Sequence, residues 1–310
     1  MGQCWRGHPT KPMNMRRLTI WLSLLPLVLL AAGCDVFSSE PIYSGLSIEG
    51  FNYTPYNLSR FVVYDKYGNT VVGGGGDLMP GSGQGSLSCC YRLKGTDFTV
   101  KWDVYDIDES LKNVYPATQM IHKRTQVHFL PTKVGGGDGA RILGLHFYPD
   151  DHVEFELRND LSGTRIFYLD VWDWLRKNHN PLLNPDDEHD SVVFRKTIRL
   201  AAAGWIKYRL ADTRDLQQYV YFTLLNPRFD EHPAVQKILG ETKDKPGAFA
   251  AAMKELAAAI VGELTSDKFE HVQPGKQNVA DTVCNSRDVQ MLLTKCVESM
   301  RRGVSATNLT

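Results

Sequence analysis

Phe98-Thr99-Val100-Lys101-Trp102-Asp103-Val104 alternates apolar and polar residues without a break. Side chains on a strand project to opposite faces with a period of two. The stretch therefore reads as a half-buried strand whose Phe98, Val100, Trp102 and Val104 face a core. Upstream, Phe61 to Tyr64 and Thr70 to Val72 flank the turn Asp65-Lys66-Tyr67-Gly68-Asn69, which predicts a hairpin. Downstream, Gln126 to Leu130 reads as a further strand. Ile142 to Tyr148, the turn Pro149-Asp150-Asp151 and His152 to Leu157 form a second hairpin. Many short strands with Gly-rich connections predict an antiparallel, sandwich-like sheet over residues 43–166.

The texture changes after Phe167. Tyr168 to Lys177 is compatible with helix or strand, and Asn178 to Asp190 reads as a polar loop carrying Pro181 and Pro185. Val192 to Leu200 and Tyr219 to Leu225 read as strands, around a segment of open type at Ala201 to Leu210. Pro246 to Leu264 is rich in Ala, Glu and Leu and predicts one amphipathic helix; Ser286 to Arg301 predicts another. The expected class is α+β, with a sheet first and a helix-containing region over residues 167–310.

The start of the chain has a different character. Arg16 and Arg17 precede Leu18 to Leu30, an apolar run too short for a span of about 20 residues and interrupted by Pro26. Leu30-Ala31-Ala32-Gly33-Cys34 then resembles the bacterial lipobox. That resemblance implies a signal peptide over residues 1–33, cleavage before Cys34, and acylation of Cys34. More than one acyl chain gives a stable anchor where a single chain binds only marginally. Residues 34–42 then read as a tether. The true start is expected at Met13 or Met15, next to the basic pair. Asp35 resembles the signal that favours retention in the inner membrane. The expected location is the cell envelope, facing the periplasm, with the lipid bilayer as a partner through acylated Cys34.

Across 310 residues, 35 basic and 35 acidic side chains cancel. The leader holds Arg6, Lys11, Arg16 and Arg17 and no acid, so the remainder is acidic by four. That balance gives no basic signature for nucleic acid. Of six cysteines, Cys4 lies in the leader and Cys34 in the lipobox. Cys89, Cys90, Cys284 and Cys296 remain as disulfide candidates in an oxidising compartment. In a helix capped at Ser286, Cys296 lies about 15 Å along the axis, which disfavours a direct Cys284–Cys296 bond. Adjacent cysteines on a strand point to opposite faces. The expectation is that Cys89 or Cys90 reaches the C-terminal pair. A vicinal Cys89–Cys90 ring and a free Cys296 thiol are the alternatives.

Motifs for catalysis or cofactors are lacking. Gly73-Gly74-Gly75-Gly76-Asp77 and Gly135-Gly136-Gly137-Asp138 lack the Gly-Lys-Ser/Thr ending of a phosphate-binding loop and read as turns. Neither Ser82 nor Ser86 sits in Gly-x-Ser-x-Gly, no His-Glu-x-x-His occurs, and no cysteine pair has zinc spacing. Asp186-Asp187-Glu188-His189-Asp190 offers oxygen ligands without the spacing of a calcium loop, and reads as a solvated loop. Tyr53, Tyr56, Phe61, Tyr64 and Tyr67 read as hairpin core and edge rather than a sugar platform. No catalytic residue, metal site or cofactor is expected, and the chain reads as a non-enzyme.

Asn52-Tyr53-Thr54-Pro55-Tyr56-Asn57, the Gly-rich loop at 73–85, Ser88-Cys89-Cys90-Tyr91 and Lys101-Trp102 resemble, over about residues 43–160, a family of proteobacterial lipoproteins with a shared domain of unknown function. Members are often encoded beside lipase effectors of type VI secretion systems. The resemblance implies an immunity protein whose partner is a cognate lipase toxin. It carries no catalytic residue; the Cys-Cys pair resembles the family's structural hallmark. A structural or assembly lipoprotein of the envelope is the alternative role.

Overall fold

A computed structural model describes residues 40–73, 77–83, 85, 87–112, 118–130 and 141–266. The leader, Cys34, Asp35, Cys284, Cys296, the helix expected at Ser286 to Arg301 and the Gly135–Asp138 loop lie outside the described residues. Eight strands come first: β1 Ile42–Asn52, β2 Asn57–Asp65, β3 Thr70–Gly73, β4 Ser88–Lys94, β5 Asp97–Tyr105, β6 Ile121–His128, β7 Arg141–Phe147 and β8 Val153–Arg158. A short helix, α1 Ile107–Lys112, follows β5. The later helices are α2 Tyr168–Leu183, α3 Asp190–Tyr208, α4 Thr213–Leu225, α5 Pro233–Glu241, α6 Ala248–Lys254 and α7 Ala258–Leu264. The expected α+β class, strands before helices, is what the chain adopts.

The strands form two sheets, an inner one in the order β4-β1-β7-β8 and an outer one in the order β3-β2-β5-β6. Phe98, Val100, Trp102 and Val104 point into the space between them, as their alternation requires. They meet Leu46 and Ile48 of β1, Leu143, Leu145 and Phe147 of β7, and Val153 and Phe155 of β8. Gly50 and Gly73 are glycines for a packing reason. A Cβ on Gly73 would stand 2.1 Å from Phe61 Cζ, and one on Gly50 2.7 Å from Phe61 Cε1. The Phe61 ring fills the space both would need.

Both hairpins form. Phe61 pairs with Gly73 through Tyr64 with Thr70, and Ile142 with Arg158 through Phe147 with Val153. Asp65 ties the first turn, accepting hydrogen bonds from the Tyr67 and Asn69 amides and from the Asn69 side chain. One pair is not antiparallel. β1 runs parallel to β7, Leu46 beside Arg141 through Asn52 beside Phe147, so the whole outer sheet is threaded between these neighbours. β6 starts five residues before the expected Gln126, because it pairs with β5 along its full length.

The inner sheet is buried on both faces over much of β1 and β7. Phe51, Tyr53 and Tyr148 leave its second face to pack with Val171, Leu175, Ile198 and Trp205 of the helices. The order of layers is therefore outer sheet, inner sheet, helices. Two expected strands are helices: Val192 to Leu200 lies in α3 and Tyr219 to Leu225 in α4. Their β-branched and aromatic residues suit a strand locally. The buried positions Val193, Thr197, Ile198, Ala201 and Trp205 nevertheless recur at helical spacing. Gly204 lets the Tyr219 ring lie against α3, where a Cβ would come within 2.7 Å of it. α2 continues through the first part of the expected loop, with a kink at His179 two residues before Pro181. The single helix expected at Pro246 to Leu264 is broken into α6 and α7 at Glu255-Leu256-Ala257. No Gly or Pro marks that break.

Candidate functional site

The second face of the inner sheet carries polar side chains under the helices. Glu49 and Arg158 form a buried pair at 2.7 Å. Beside it runs a closed circuit through four residues. The Arg165 amide donates to Tyr53 Oη at 2.9 Å, and Tyr53 donates to His146 Nδ1 at 3.1 Å. His146 Nε2 donates to Glu156 at 2.9 Å, and Glu156 lies 3.3 Å from the Arg165 guanidinium. Only the neutral Nε2–H tautomer of His146 satisfies every member. The ring is fully buried and stacks on Phe51 at 4.6 Å. Burial, with the Arg165 and Arg158 charges nearby, pushes its pKa down to about 3. Burial likewise raises Tyr53 far above the ordinary phenol range.

At the end of β7 this network opens into a cleft of about 370 Å³, lined chiefly by Tyr148, His152, Glu154, Arg165, Trp205 and Arg209. Its floor is a stack. Trp205 and Tyr148 lie 5.0 Å apart, Tyr148 and His152 4.3 Å apart, and the Arg209 guanidinium sits 4.2 Å from the Trp205 ring centre. Asp150 ties the rim, meeting His152 Nδ1 at 2.5 Å and Arg209 at 2.9 Å. Its hydrogen bond to Asp150 raises the His152 pKa against the effect of burial. Burial would raise Asp150, but its bonds from His152 and Arg209 outweigh that and hold it at about 2. Arg165 pairs with Glu154 as well as Glu156. The charged rim groups are thus engaged by one another over an aromatic floor.

The outer sheet turns a different face to solvent. Its register sets the outward-facing residues in rows. Val72, Val62, Lys101 and Arg124 stand side by side across four strands, and Arg60, Asp103 and His122 across three. Asp103 bonds Arg60 at 2.5 Å and His122 at 2.6 Å. Lys101 and Arg124 are exposed, directly opposite in register. Neither forms an ion pair among the described residues, and Lys101 leans over the Tyr64 ring. Like charges facing across strands are unfavourable, so this face is built at some cost to the free fold. No described element covers it.

The residues singled out in the sequence are dispersed. Tyr53 is in the buried circuit and Phe61 in the sandwich core, while Tyr64 lies on the outer face and Tyr67 at a hairpin tip, so they form no single platform. Asp186 to Asp190 is turn and cap: the Glu188 amide donates to Asn184, His189 caps α3, and Asp190 pairs with Arg176. Among the described residues no group of three or more His, Cys, Asp or Glu is placed to hold a metal ion, and no helix is long and apolar enough to cross a membrane. Asp150 and His152 do occupy a hairpin tip, but the sequence did not reveal that the tip walls a cleft.

Cys89 and Cys90 depart from the expectation that they face opposite sides. Leu46 pairs with Tyr91 and Ile48 with Ser88, so the two cysteines form a bulge in β4. Cys90 takes a left-handed φ of 75°, which breaks the alternation. Both thiols are exposed and free among the described residues, with Sγ atoms 2.7 Å apart, and they are not bonded as a vicinal ring. No protein-family model, no curated protein and no solved structure matches this chain.

Proposed function

We propose that this chain is a membrane-anchored, periplasm-facing lipoprotein that works as a binding protein, and that it neutralises a lipase effector of a type VI secretion system. The observation that carries the binding role is the uncovered face of the outer sheet. Lys101 and Arg124 are held opposite one another there, neither in an ion pair among the described residues. An acidic partner surface relieves that repulsion on docking and gains steering from it. The outer sheet is backed by the apolar core of the sandwich, so it presents the face with little to order on association, which favours affinity. The anchor rests on Leu30 to Cys34, and the lipase as partner on the resemblance carried by residues 43–160.

The test is a pull-down from detergent-solubilised envelope with the tagged lipoprotein and the product of an adjacent lipase gene. Stoichiometric recovery with loss of lipase activity is the expected result. Recovery of envelope-assembly proteins alone, with no lipase inhibited, moves the assignment to an assembly role. Cys34→Ala is expected to leave the fold intact and release it from the membrane fraction; retention of that variant refutes the anchor.

A further inference from the structure

We propose that the end of the sandwich nearest the tether is a membrane seat, resting on the anionic surface of the bilayer. The inference rests on acylation of Cys34 as read above. β1 begins at Ile42, so the chain enters the fold at one end of the strands. Six residue steps separate Cys34 from Glu40, a reach of roughly 20 Å when fully extended. β1 has eleven residues, about 36 Å. The anchor therefore holds the near end within reach of the headgroups, while the cleft at the end of β7 stands away from them.

The near end gathers lysines and apolar side chains, and its carboxylates Glu40 and Asp97 are each engaged, by Lys66 and His128. Gly95 donates its amide to the Pro41 carbonyl and brings the β4–β5 turn beside the tether. Lys66 at the β2–β3 turn pairs with Glu40. Lys94 forms no ion pair among the described residues and sits 4.2 Å above the centre of the Tyr67 ring. Tyr67, Ile42 and Leu130 are 44, 48 and 65% exposed. Leu130 belongs to the same end, since the Phe129 amide donates to Thr96 and the Phe129 ring packs on Tyr43 at 5.8 Å. Lysines with long apolar stems, a tyrosine and exposed aliphatics are what the interface between headgroups and acyl chains accommodates. The outer face of the sheet, by contrast, is mainly polar and charged.

The full acylated chain, reconstituted in vesicles of phosphatidylethanolamine and phosphatidylglycerol at about 7:3, is treated with an amine-acetylating reagent and read by mass spectrometry. The same protein in detergent is the reference. Lys66 and Lys94 are expected to label at least threefold less in vesicles, while Lys101, Lys237 and Lys243 label alike in both. Equal labelling of Lys66 and Lys94 overturns the seat while leaving the anchor standing. Protection of Lys101 instead also overturns it, because the molecule then lies on its outer sheet. Absence of acyl mass on Cys34 sinks the anchor and the seat together.

Discussion

Mild acid should destabilise this protein through the His146 imidazole. His146 is neutral in the folded state, with its pKa pushed from the ordinary 6.5 to about 3. Between those values the unfolded chain binds one more proton at this site than the native one. Stability therefore falls with falling pH, by about 1.4 kcal/mol per unit. The contribution is intact above pH 6.5 and largely lost near pH 3. From pH 7.5 to 5.0 the working interval is about 1.5 units, which gives a loss of about 2 kcal/mol. The structural cause is the closed circuit. A proton on Nδ1 confronts the Tyr53 hydroxyl, whose other side already accepts the Arg165 amide, so the phenol proton loses its buried acceptor. Urea unfolding at the two pH values, on wild type and His146→Gln, measures this. The variant starts less stable by about 1–3 kcal/mol, for the lost Tyr53 acceptor, but lacks the slope. His152, whose raised pKa adds stability at low pH and loses it as pH rises, acts oppositely in both proteins and cancels in the comparison. If both proteins lose the same stability between pH 7.5 and 5.0, His146 is not the titrating group and the circuit is wrongly drawn.

Arg124→Glu places a carboxylate opposite Lys101 and should raise stability by about 0.5 kcal/mol in thermal unfolding, while partner recovery in the pull-down falls; lower stability would contradict the repulsion. Gly73→Ala should cost about 1–3 kcal/mol, because its Cβ meets the Phe61 ring, and adding Phe61→Leu should return part of that loss in a double-mutant cycle. Asp215 is buried and accepts from the Gly247 and Ala250 amides, each at 2.8 Å, at the start of α6. Asp215→Ala should cost about 2–4 kcal/mol and expose those amides to hydrogen exchange; unchanged protection would show that the cap carries nothing.

The sheet was legible where one face is apolar and the other polar. Phe98 to Val104 and the first hairpin fall in that class; in the second hairpin β7 is buried on both faces, and its apolar run and the Pro149-Asp150-Asp151 turn made it legible instead. β6 was only half legible because its positions on the inward register include Lys123 and Thr125 as well as Ile121 and Val127. α3 and α4 depart from the expected strands because Val192, Val193, Phe194 and the tyrosines of α4 carry strand preference, and packing of these helices on one another, with Trp205 of α3 on Tyr148, overrides it. The caps were present in the sequence: Asp212 accepts from the Arg214 amide and His189 from Ser191. The buried circuit was invisible, since Tyr53, His146, Glu156 and Arg165 are brought together only by the parallel pairing of β1 with β7. The Lys101–Arg124 opposition likewise needs the register, which no local pattern supplies.

That parallel pairing also sets the order in which the protein must be made. β1 is the first of the described strands, and its β7 neighbour begins about 95 residues later, from Leu46 to Arg141. Closing a loop of that length costs about 4 kcal/mol of chain entropy before any contact rewards it. The outer sheet can pair while one edge of β1 is still bare, but its core is completed only when β7 and β8 arrive, and folding should be slow for a molecule of this size. On the proposed route of export, a chain emerging N-terminus first would present that edge, with Leu46, Ile48 and Phe51, to whatever chaperone or protease meets it before β7 arrives.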